Sequence, residues 1–156
     1  MFDHILVPLR LGTADARLLE PAVGLARLSQ AEVTLLHVVE KIAGMPAAEV
    51  RKFHARLVAR ARKSLDRASK ALSREGVPVQ SAVLLGKTAA EIVRYATTHD
   101  VDLIVMGSHC VRPDQTGGGW GTTSYEVGLL CQCPVLLVKG LELPAKARRA
   151  RTLSQA

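Results

Sequence analysis

DLIVMGSHC occupies residues 102–110, GGGWGTTSYEVGLL residues 117–130 and CPVLLVK residues 133–139. This stretch, from Asp102 to Lys139, has the pattern of an apolar strand, a glycine-rich loop, a helix and a second apolar strand. The order places a run of backbone N–H groups at a helix start, which is how proteins commonly hold a phosphate group. The stretch therefore predicts a strand-loop-helix-strand unit with a candidate anion site.

The rest of the chain alternates short apolar runs with amphipathic segments. Strands are expected at residues 4–9, 32–39, 77–85, 102–108 and 134–139, because these runs are short, apolar and rich in β-branched residues. The spacing of apolar residues predicts helices over residues 14–30, 49–73, 88–99 and 122–130. Such alternation predicts an α/β fold with a mainly parallel sheet, helices on both faces and right-handed crossovers.

The sequence also suggests where the helices begin and end. Asp15, or Thr13 before it, is expected to cap the first helix, but Pro21 within the pattern leaves its start open. The second helix is expected to end at Gly76, and the third to be capped by Thr88. The fourth helix is expected to be capped by Thr122 or Thr123. The hydroxyl of the same residue is expected to reach a phosphate oxygen of a bound ligand.

Length and composition indicate one domain. With 156 residues, 48% of them hydrophobic, the chain can bury one sizeable core. We expect a domain over residues 1–140 and a disordered basic tail over residues 141–156. No apolar run approaches the roughly 20 residues of a membrane span, and the opening MFDHILVPLR lacks the basic start of a signal peptide. A cytoplasmic protein is therefore expected, and its three cysteines form no paired disulfide framework.

The net charge of +7 is unevenly distributed. Residues 49–75 carry nine Lys and Arg against three acidic residues, and residues 139–156 carry five against one. Such segments contact nucleic acid or an anionic surface in some proteins and are solvated helix faces or frayed ends in others. Because aromatic residues make up only 3% of the chain, platforms for stacking bases are nearly absent. Nucleic-acid binding is therefore not expected, and a solvated face is favoured.

The loop after residue 107 is the candidate binding loop. In an open parallel sheet, ligands lie beyond the carboxyl ends of the strands, where the strand order reverses. Gly107 ends its strand, and glycines at 117–119 allow close backbone approach before Gly121 leads into the helix. A glycine-rich turn before a helix is also common as a simple flexible turn, so both interpretations stay open at this point.

Four separated segments resemble the universal stress protein family in their order and spacing: HILVPL at the first strand, LLHVV at the second, DLIVMGSH at the fourth and CPVLLVK at the last. The resemblance covers residues 1–139. It implies a Rossmann-like three-layer αβα sandwich with five parallel strands, in a dimeric cytoplasmic stress-response protein. One branch of the family binds ATP or AMP through the motif G-x2-G-x9-G-[ST], with Mg²⁺ accompanying ATP; another branch lacks the motif and binds no nucleotide.

The match to that motif is partial. Gly107 and the pair Gly121-Thr122 fall on the two ends of the motif, but Cys110 replaces the middle glycine and is followed by ten residues rather than nine before the last glycine. The resemblance also implies backbone contacts to adenine and a histidine near the phosphates. The positions that it implies for binding are Pro8, Leu9, Arg10, Val38, Met106, Gly107, His109, Cys110, Gly121, Thr122 and Thr123.

Arg10 is a second departure from the family pattern. Nucleotide-binding relatives place an acidic residue shortly after the first strand, where it contacts the ribose or the adenine. With Arg10 in that place, a ribose hydroxyl loses its acceptor. The guanidinium either meets a phosphate in bidentate fashion or pairs with a neighbouring acid, and the acid pair is favoured.

Other apparent motifs fit a structural role better than a chemical one. Gly86-Lys87-Thr88 resembles the end of a P-loop, but Ser81 stands where the first glycine is required, so a strand-to-helix turn is favoured. The spacing Cys131-x-Cys133 is not that of zinc ligands, and no metal is expected. No Ser/His/Asp set or carboxylate pair stands out, so the only catalysis left open is slow ATP hydrolysis.

Two classes of function remain. The final strand, from Pro134 to Lys139, is expected at a sheet edge, where a second copy pairs with it to form the homodimer that the resemblance implies. In the first hypothesis this dimer responds to ATP or AMP, which orders the loop after Gly107. In the second it is a nucleotide-free interaction module, whose loop contacts a protein partner through Trp120 and Tyr125.

Overall fold

The computed structural model describes residues 1–41, 44, 46–108 and 122–139. Within these residues, strands and helices alternate as the sequence predicts, with bounds that differ by one or two residues. The elements are β1 (His4–Pro8), α1 (Asp15–Ser29), β2 (Glu32–Glu40), α2 (Ala47–Arg74), β3 (Val79–Gly86), α3 (Thr88–Thr98), β4 (Leu103–Gly107), α4 (Thr123–Leu130) and β5 (Val135–Val138). The glycines at 117–119 and 121 and the tail over residues 141–156 lie outside the described residues.

The five strands form one sheet in the order β3-β2-β1-β4-β5, and every pairing is parallel. The central strand β1 buries Ile5, Leu6 and Val7 completely, which is typical of a parallel strand covered on both faces. The predicted α/β fold is therefore confirmed, and the sheet that the sequence predicts as mainly parallel is entirely parallel.

Helices cover both faces of the sheet. On one face, α1 and α2 bury Leu18, Ala22 and Leu65. On the other, α3 and α4 bury Ile92 and Val127. The result is a three-layer αβα sandwich. The connection from β1 to β2 through α1 covers one face of the sheet, and the connection from β3 to β4 through α3 covers the other.

Two predicted helix caps are wrong. The N-cap of α1 is Ala14, so neither Thr13 nor Asp15 caps that helix, and Pro21 lies well inside it. The N-cap of α3 is Lys87, and it makes no side-chain capping bond. Thr88 is the first residue of α3, and its hydroxyl donates a hydrogen bond to the carboxylate of Glu40 at 2.8 Å.

Two other predicted helix ends are confirmed. Thr122 caps α4, since its hydroxyl oxygen accepts a hydrogen bond from the Tyr125 N–H at 3.4 Å. Gly76 follows α2 directly after the C-cap residue Glu75, and its φ of 80° is the left-handed conformation that commonly ends a helix.

The longest helix, α2, has 28 residues and is amphipathic. Its buried side chains are His54, Ala61, Leu65 and Leu72, whereas its exposed surface carries the arginines and lysines of the basic segment. Across the described parts of the chain, no helix combines the length and the apolar character needed to cross a membrane.

The core under α2 gives a direct stability test. Leu65 is fully buried between α2 and the sheet, so Leu65→Ala should lower the free energy of unfolding by about 3 kcal/mol through lost burial and a residual cavity. As a control, Leu28→Ala removes the same atoms from a side chain that is 86% exposed and should change stability by about 0.5 kcal/mol or less. Urea unfolding measures both, and equal losses would contradict this packing.

Candidate functional site

The strand order places a crevice at the carboxyl end of β1. From β1 the chain runs through α1 on one face of the sheet to β2, whereas β4 is reached through α3 on the other face. The loops that follow β1 and β4 therefore diverge, and open α/β sheets bind ligands at such a point. A cavity of about 690 Å³ lies there, within the size range of small-molecule sites.

Most of the binding positions inferred from the sequence meet at this cavity. It is lined by Pro8, Leu9, Arg10, Val38, Met106, Gly107 and Thr123. Thr122 is adjacent, as the cap of α4. His109, Cys110 and Gly121 lie outside the described residues. Residues far apart in sequence thus come from the ends of three neighbouring strands and from the start of a helix.

Several polar residues that the sequence did not single out for binding line the same cavity. They are Asp15, His37, Glu40, Thr88, Ser108 and Ser124. The register of the sheet places His37 and Glu40 there, since Pro8 at the end of β1 pairs with Leu36 and these residues of β2 extend past it. The other four lie in the first turn of a helix or directly after β4. The sequence does indicate that parallel strands end on the same side of the sheet, which could have suggested residues on β2 as part of the site. The register that decides which of them reach the cavity cannot be read from the sequence.

The loop after β1 is held by the carboxylate of Asp15. Its oxygens accept hydrogen bonds from the N–H groups of Arg10 at 3.4 Å and Gly12 at 3.1 Å. Between them, Leu11 has a φ of 61°, a left-handed conformation that is uncommon for a residue with a side chain. Strained backbone of this kind persists where its surroundings fix it, and here those surroundings include Asp15.

His37 joins β2 to the same loop. Its Nδ1–H donates a hydrogen bond to the carbonyl oxygen of Leu9 at 2.8 Å, which leaves Nε2 as the nitrogen available to a ligand. The N–H of Leu9 itself donates to the carbonyl oxygen of Leu36 at 2.8 Å. Leu9 therefore offers a ligand its apolar side chain and a carbonyl lone pair, but not its N–H group.

Burial shifts the ionisation of Asp15. Desolvation raises the pKa of this carboxyl above its ordinary 3.8, and this effect outweighs the hydrogen bonds from the backbone of Arg10, Leu11 and Gly12 and the nearby His37, which lower it. Asp15 is thus an acid in the cavity whose pKa is clearly displaced. Because its pKa is raised and its carboxylate holds the loop after β1, the protonation of Asp15 reports on the structure of that loop.

The opposite side of the cavity suits an anion. The first turn of α4 lines it through Thr123 and Ser124, and the first N–H groups of a helix have no partner within the helix. The hydroxyls of Thr122 and Ser124 lie 3.3 Å apart at this helix start. Lys139 adds a cation nearby, since its ammonium group donates a hydrogen bond to the hydroxyl of Ser108 at 2.8 Å. These groups are the donors that phosphate oxygens require.

The two described cysteines lie away from this cavity, at the turn between α4 and β5. Their sulfurs are 3.3 Å apart, and burial together with the neighbouring Cys131 raises the pKa of Cys133 to about 12. In the described part of the chain, no three His, Cys, Asp or Glu side chains gather where they could hold a metal ion.

Comparison with known proteins identifies the family to which this fold belongs. The model of the universal stress protein family matches residues 1–139, almost nine-tenths of the chain. The chain belongs to the universal stress protein family. The family resemblance noted in the four strand segments is thereby confirmed.

Individual relatives agree with this assignment. Universal stress protein YxiE of Bacillus subtilis is 29% identical over 149 residues, covering 89% of this chain and all of that protein. The solved structure of UspA from Lactobacillus plantarum has a TM-score of 0.75 at 23% identity and covers 88% of this chain and 97% of its own. A universal stress protein from Archaeoglobus fulgidus, solved in complex with dAMP, has a TM-score of 0.62 at 19% identity, covering 89% and 98%. These structures establish the Rossmann-like fold.

The shifted pKa of Asp15 gives a pH test of the loop after β1. Because the folded protein holds this proton more tightly than the unfolded chain does, the wild type should gain stability relative to Asp15→Asn as the pH falls through the raised pKa, and the gain should level off below 3.8. Urea unfolding of both proteins from pH 7 to pH 3.5 measures the difference, in which groups common to both cancel. A difference that is constant with pH, or that moves the other way, would contradict the burial of Asp15.

Proposed function

We propose that this universal stress protein binds an adenine nucleotide, ATP or AMP, in the cavity at the carboxyl end of β1, with Mg²⁺ accompanying ATP. The observation that carries the proposal is the pairing of an apolar cavity wall with a capped helix start in one site. Leu9, Val38 and Met106 supply the apolar wall, and Thr123 at the start of α4 supplies the anion-binding end. A nucleotide needs both, because its base is flat and largely apolar while its phosphates are charged.

The phosphates belong at the start of α4 in this proposal. The helix dipole and the N–H groups of Thr123 and Ser124, which have no carbonyl partner within the helix, favour negative charge there, and the hydroxyls of Thr122 and Ser124 add donors. The ammonium group of Lys139 is held at Ser108, which lines the cavity together with this helix start. Gly107, the last residue of β4, comes directly before Ser108. Because glycine has no side chain, the backbone there can approach the ligand closely.

The ribose has acceptors despite the arginine at position 10. Asp15 and Glu40 both line the cavity, and both carry carboxylates that can accept a hydrogen bond from a sugar hydroxyl. We assign that role to these two residues in place of the acid that the family pattern puts at Arg10. The relative from Archaeoglobus fulgidus was solved with dAMP, which supports an adenine nucleotide as the class of ligand for this fold.

We further propose that the protein is a cytoplasmic homodimer that acts in stress responses, paired through β5. This strand is at one edge of the sheet, and the large side chains around it are exposed on both faces: Leu129, Leu130, Leu136 and Leu137. An exposed edge strand with apolar neighbours invites pairing with a second copy. Nucleotide binding at the end of β4 lies next to this edge, because β4 pairs with β5 directly.

A charge at the start of α4 tests nucleotide binding. Thr123→Glu places a carboxylate at the first position of α4, where it repels a phosphate but suits the helix dipole, so the fold should be retained. Titration calorimetry with AMP, and with ATP and Mg²⁺, should give a Kd at least tenfold weaker than that of the wild type, equivalent to about 1.4 kcal/mol.

The matched control is Ala47→Glu. It places the same charge at the first position of α2, which is exposed and does not line the cavity, so the Kd should stay within about twofold of the wild type. Equal weakening in both variants would contradict the assigned phosphate position. If the wild type binds neither nucleotide, the proposal is wrong, and the nucleotide-free interaction module is the hypothesis that remains.

A second test concerns the dimer. Leu136→Lys combined with Leu137→Lys puts two charges on the edge strand at side chains that are already exposed, whereas Val138 packs against the core and is left unchanged. Light scattering after size exclusion should give the mass of a dimer for the wild type and of a monomer for this variant. Leu28→Lys, on the distant helix α1, should remain dimeric. A double variant that keeps the dimer mass would show that β5 is not the interface.

A further inference from the structure

The exposed side of α2 carries a continuous stripe of positive charge. At 100° per residue, seven cations fall within an arc of roughly 80° on the helix surface. From Lys52 to Arg74, every residue of α2 in that arc is Lys or Arg, and all are exposed: Lys52, Arg56, Arg60, Lys63, Arg67, Lys70 and Arg74. They follow one another at intervals of three or four residues, so the stripe is straight and about 33 Å long at 1.5 Å per residue.

This stripe points directly away from the sheet. The buried side chains of α2, such as Ala61 and Leu65, lie on the opposite side of the helix, roughly 160° around its axis. Because α2 belongs to the outer layer of the sandwich, the seven cations face outward together. None of them makes an ion pair within the residues that the structure describes.

A solvated surface does not require this arrangement. Neighbouring like charges at intervals of three or four residues destabilise a helix, and surfaces that serve only solubility mix both signs. Of the two acids within α2, Glu49 lies in line with the stripe but one turn before its first cation, and Asp66 lies beside it. A stripe that contains only positive charges is stabilised by an anionic partner. Because the stripe is straight, a flat partner surface can contact all of its charges.

We propose that α2 is a docking surface for an anionic lipid bilayer. A flat surface can contact all seven cations at once, because they lie in one narrow arc along a straight helix. A few Lys or Arg residues on a helix are enough to bind a membrane that contains acidic lipids. The same outer layer also exposes two large apolar side chains that can enter a bilayer interface, Leu28 on α1 at 86% and Phe53 beside the stripe at 40%.

Nucleic acid fits this surface less well. A helix in a duplex groove meets phosphates on both sides, which requires cations on both flanks rather than along one narrow arc. Proteins that bind single strands stack the bases on aromatic side chains, and Phe53 is the one aromatic residue of Phe, Tyr or Trp type in α2. The exposed Leu28 has no role in contacts with phosphates.

Sedimentation with vesicles tests the proposal on the full chain. Vesicles of phosphatidylcholine with 30% phosphatidylserine should bind the wild type at least tenfold more tightly than vesicles of phosphatidylcholine alone. Binding should be lost in 0.5 M NaCl, because salt screens charges at a surface. Equal binding to both vesicles, or retardation of a 40-nucleotide DNA at protein concentrations that bind no acidic vesicles, would overturn the proposal, the latter in favour of nucleic acid.

Two charge-reversal variants separate the stripe from net charge. Arg60→Glu with Lys63→Glu reverses two cations in the stripe and should weaken binding to the acidic vesicles at least tenfold. The matched control, Arg51→Glu with Arg62→Glu, reverses two exposed cations of α2 outside the arc and should stay within threefold of the wild type. Both variants have the same net charge and keep the basic tail, so equal losses would contradict the stripe. If the first variant fails to fold by circular dichroism, Arg60→Gln with Lys63→Gln replaces it, with at least a fivefold loss expected.

Discussion

The backbone of β1 pairs with β2 on one side and with β4 on the other, and the rest of the structure depends on this double pairing. It buries Ile5, Leu6 and Val7 from both faces, which gives the sheet its two cores. It also forces the chain to cover one face before β2 and the other before β4. The crevice at the carboxyl end of β1 is therefore a consequence of topology, present before any side chain lines it.

Three surfaces follow from this topology. The cavity is at the carboxyl end of the central strands, the apolar edge is at β5, and α2 covers β2 and β3 towards the other edge of the sheet. Pairing of two copies through β5 thus leaves both copies of α2 uncovered. The sites proposed for a nucleotide, a second copy and a membrane surface use different residues, so none of these partners needs to displace another.

The alternation of elements could be predicted from the sequence because each strand is a short apolar run and each helix has a clear periodicity. The helix caps could be predicted only in part. Thr122 behaves as a local rule suggests, but Thr88 bonds to Glu40, which is far away in sequence and adjacent only across the fold. The site shows the same limit, since His37 reaches the cavity through the parallel register of β1 and β2, and Asp15 reaches it from the start of α1. Contacts between residues close in sequence can be predicted from one sequence. Contacts between residues on different strands depend on the register of the sheet, which one sequence does not give.

The central claim is that an adenine nucleotide lies between the ends of β1, β2 and β4 and the start of α4. The most direct measurement is an NMR titration of the ¹⁵N-labelled protein with AMP, following each backbone amide. We expect chemical shift changes that saturate with AMP at the amides of Arg10, Val38, Gly107 and Thr123. The amides of Asp3 and Val101, at the amino ends of β1 and β4, should not shift. An unchanged spectrum, or shifts confined to other surfaces, would contradict this account.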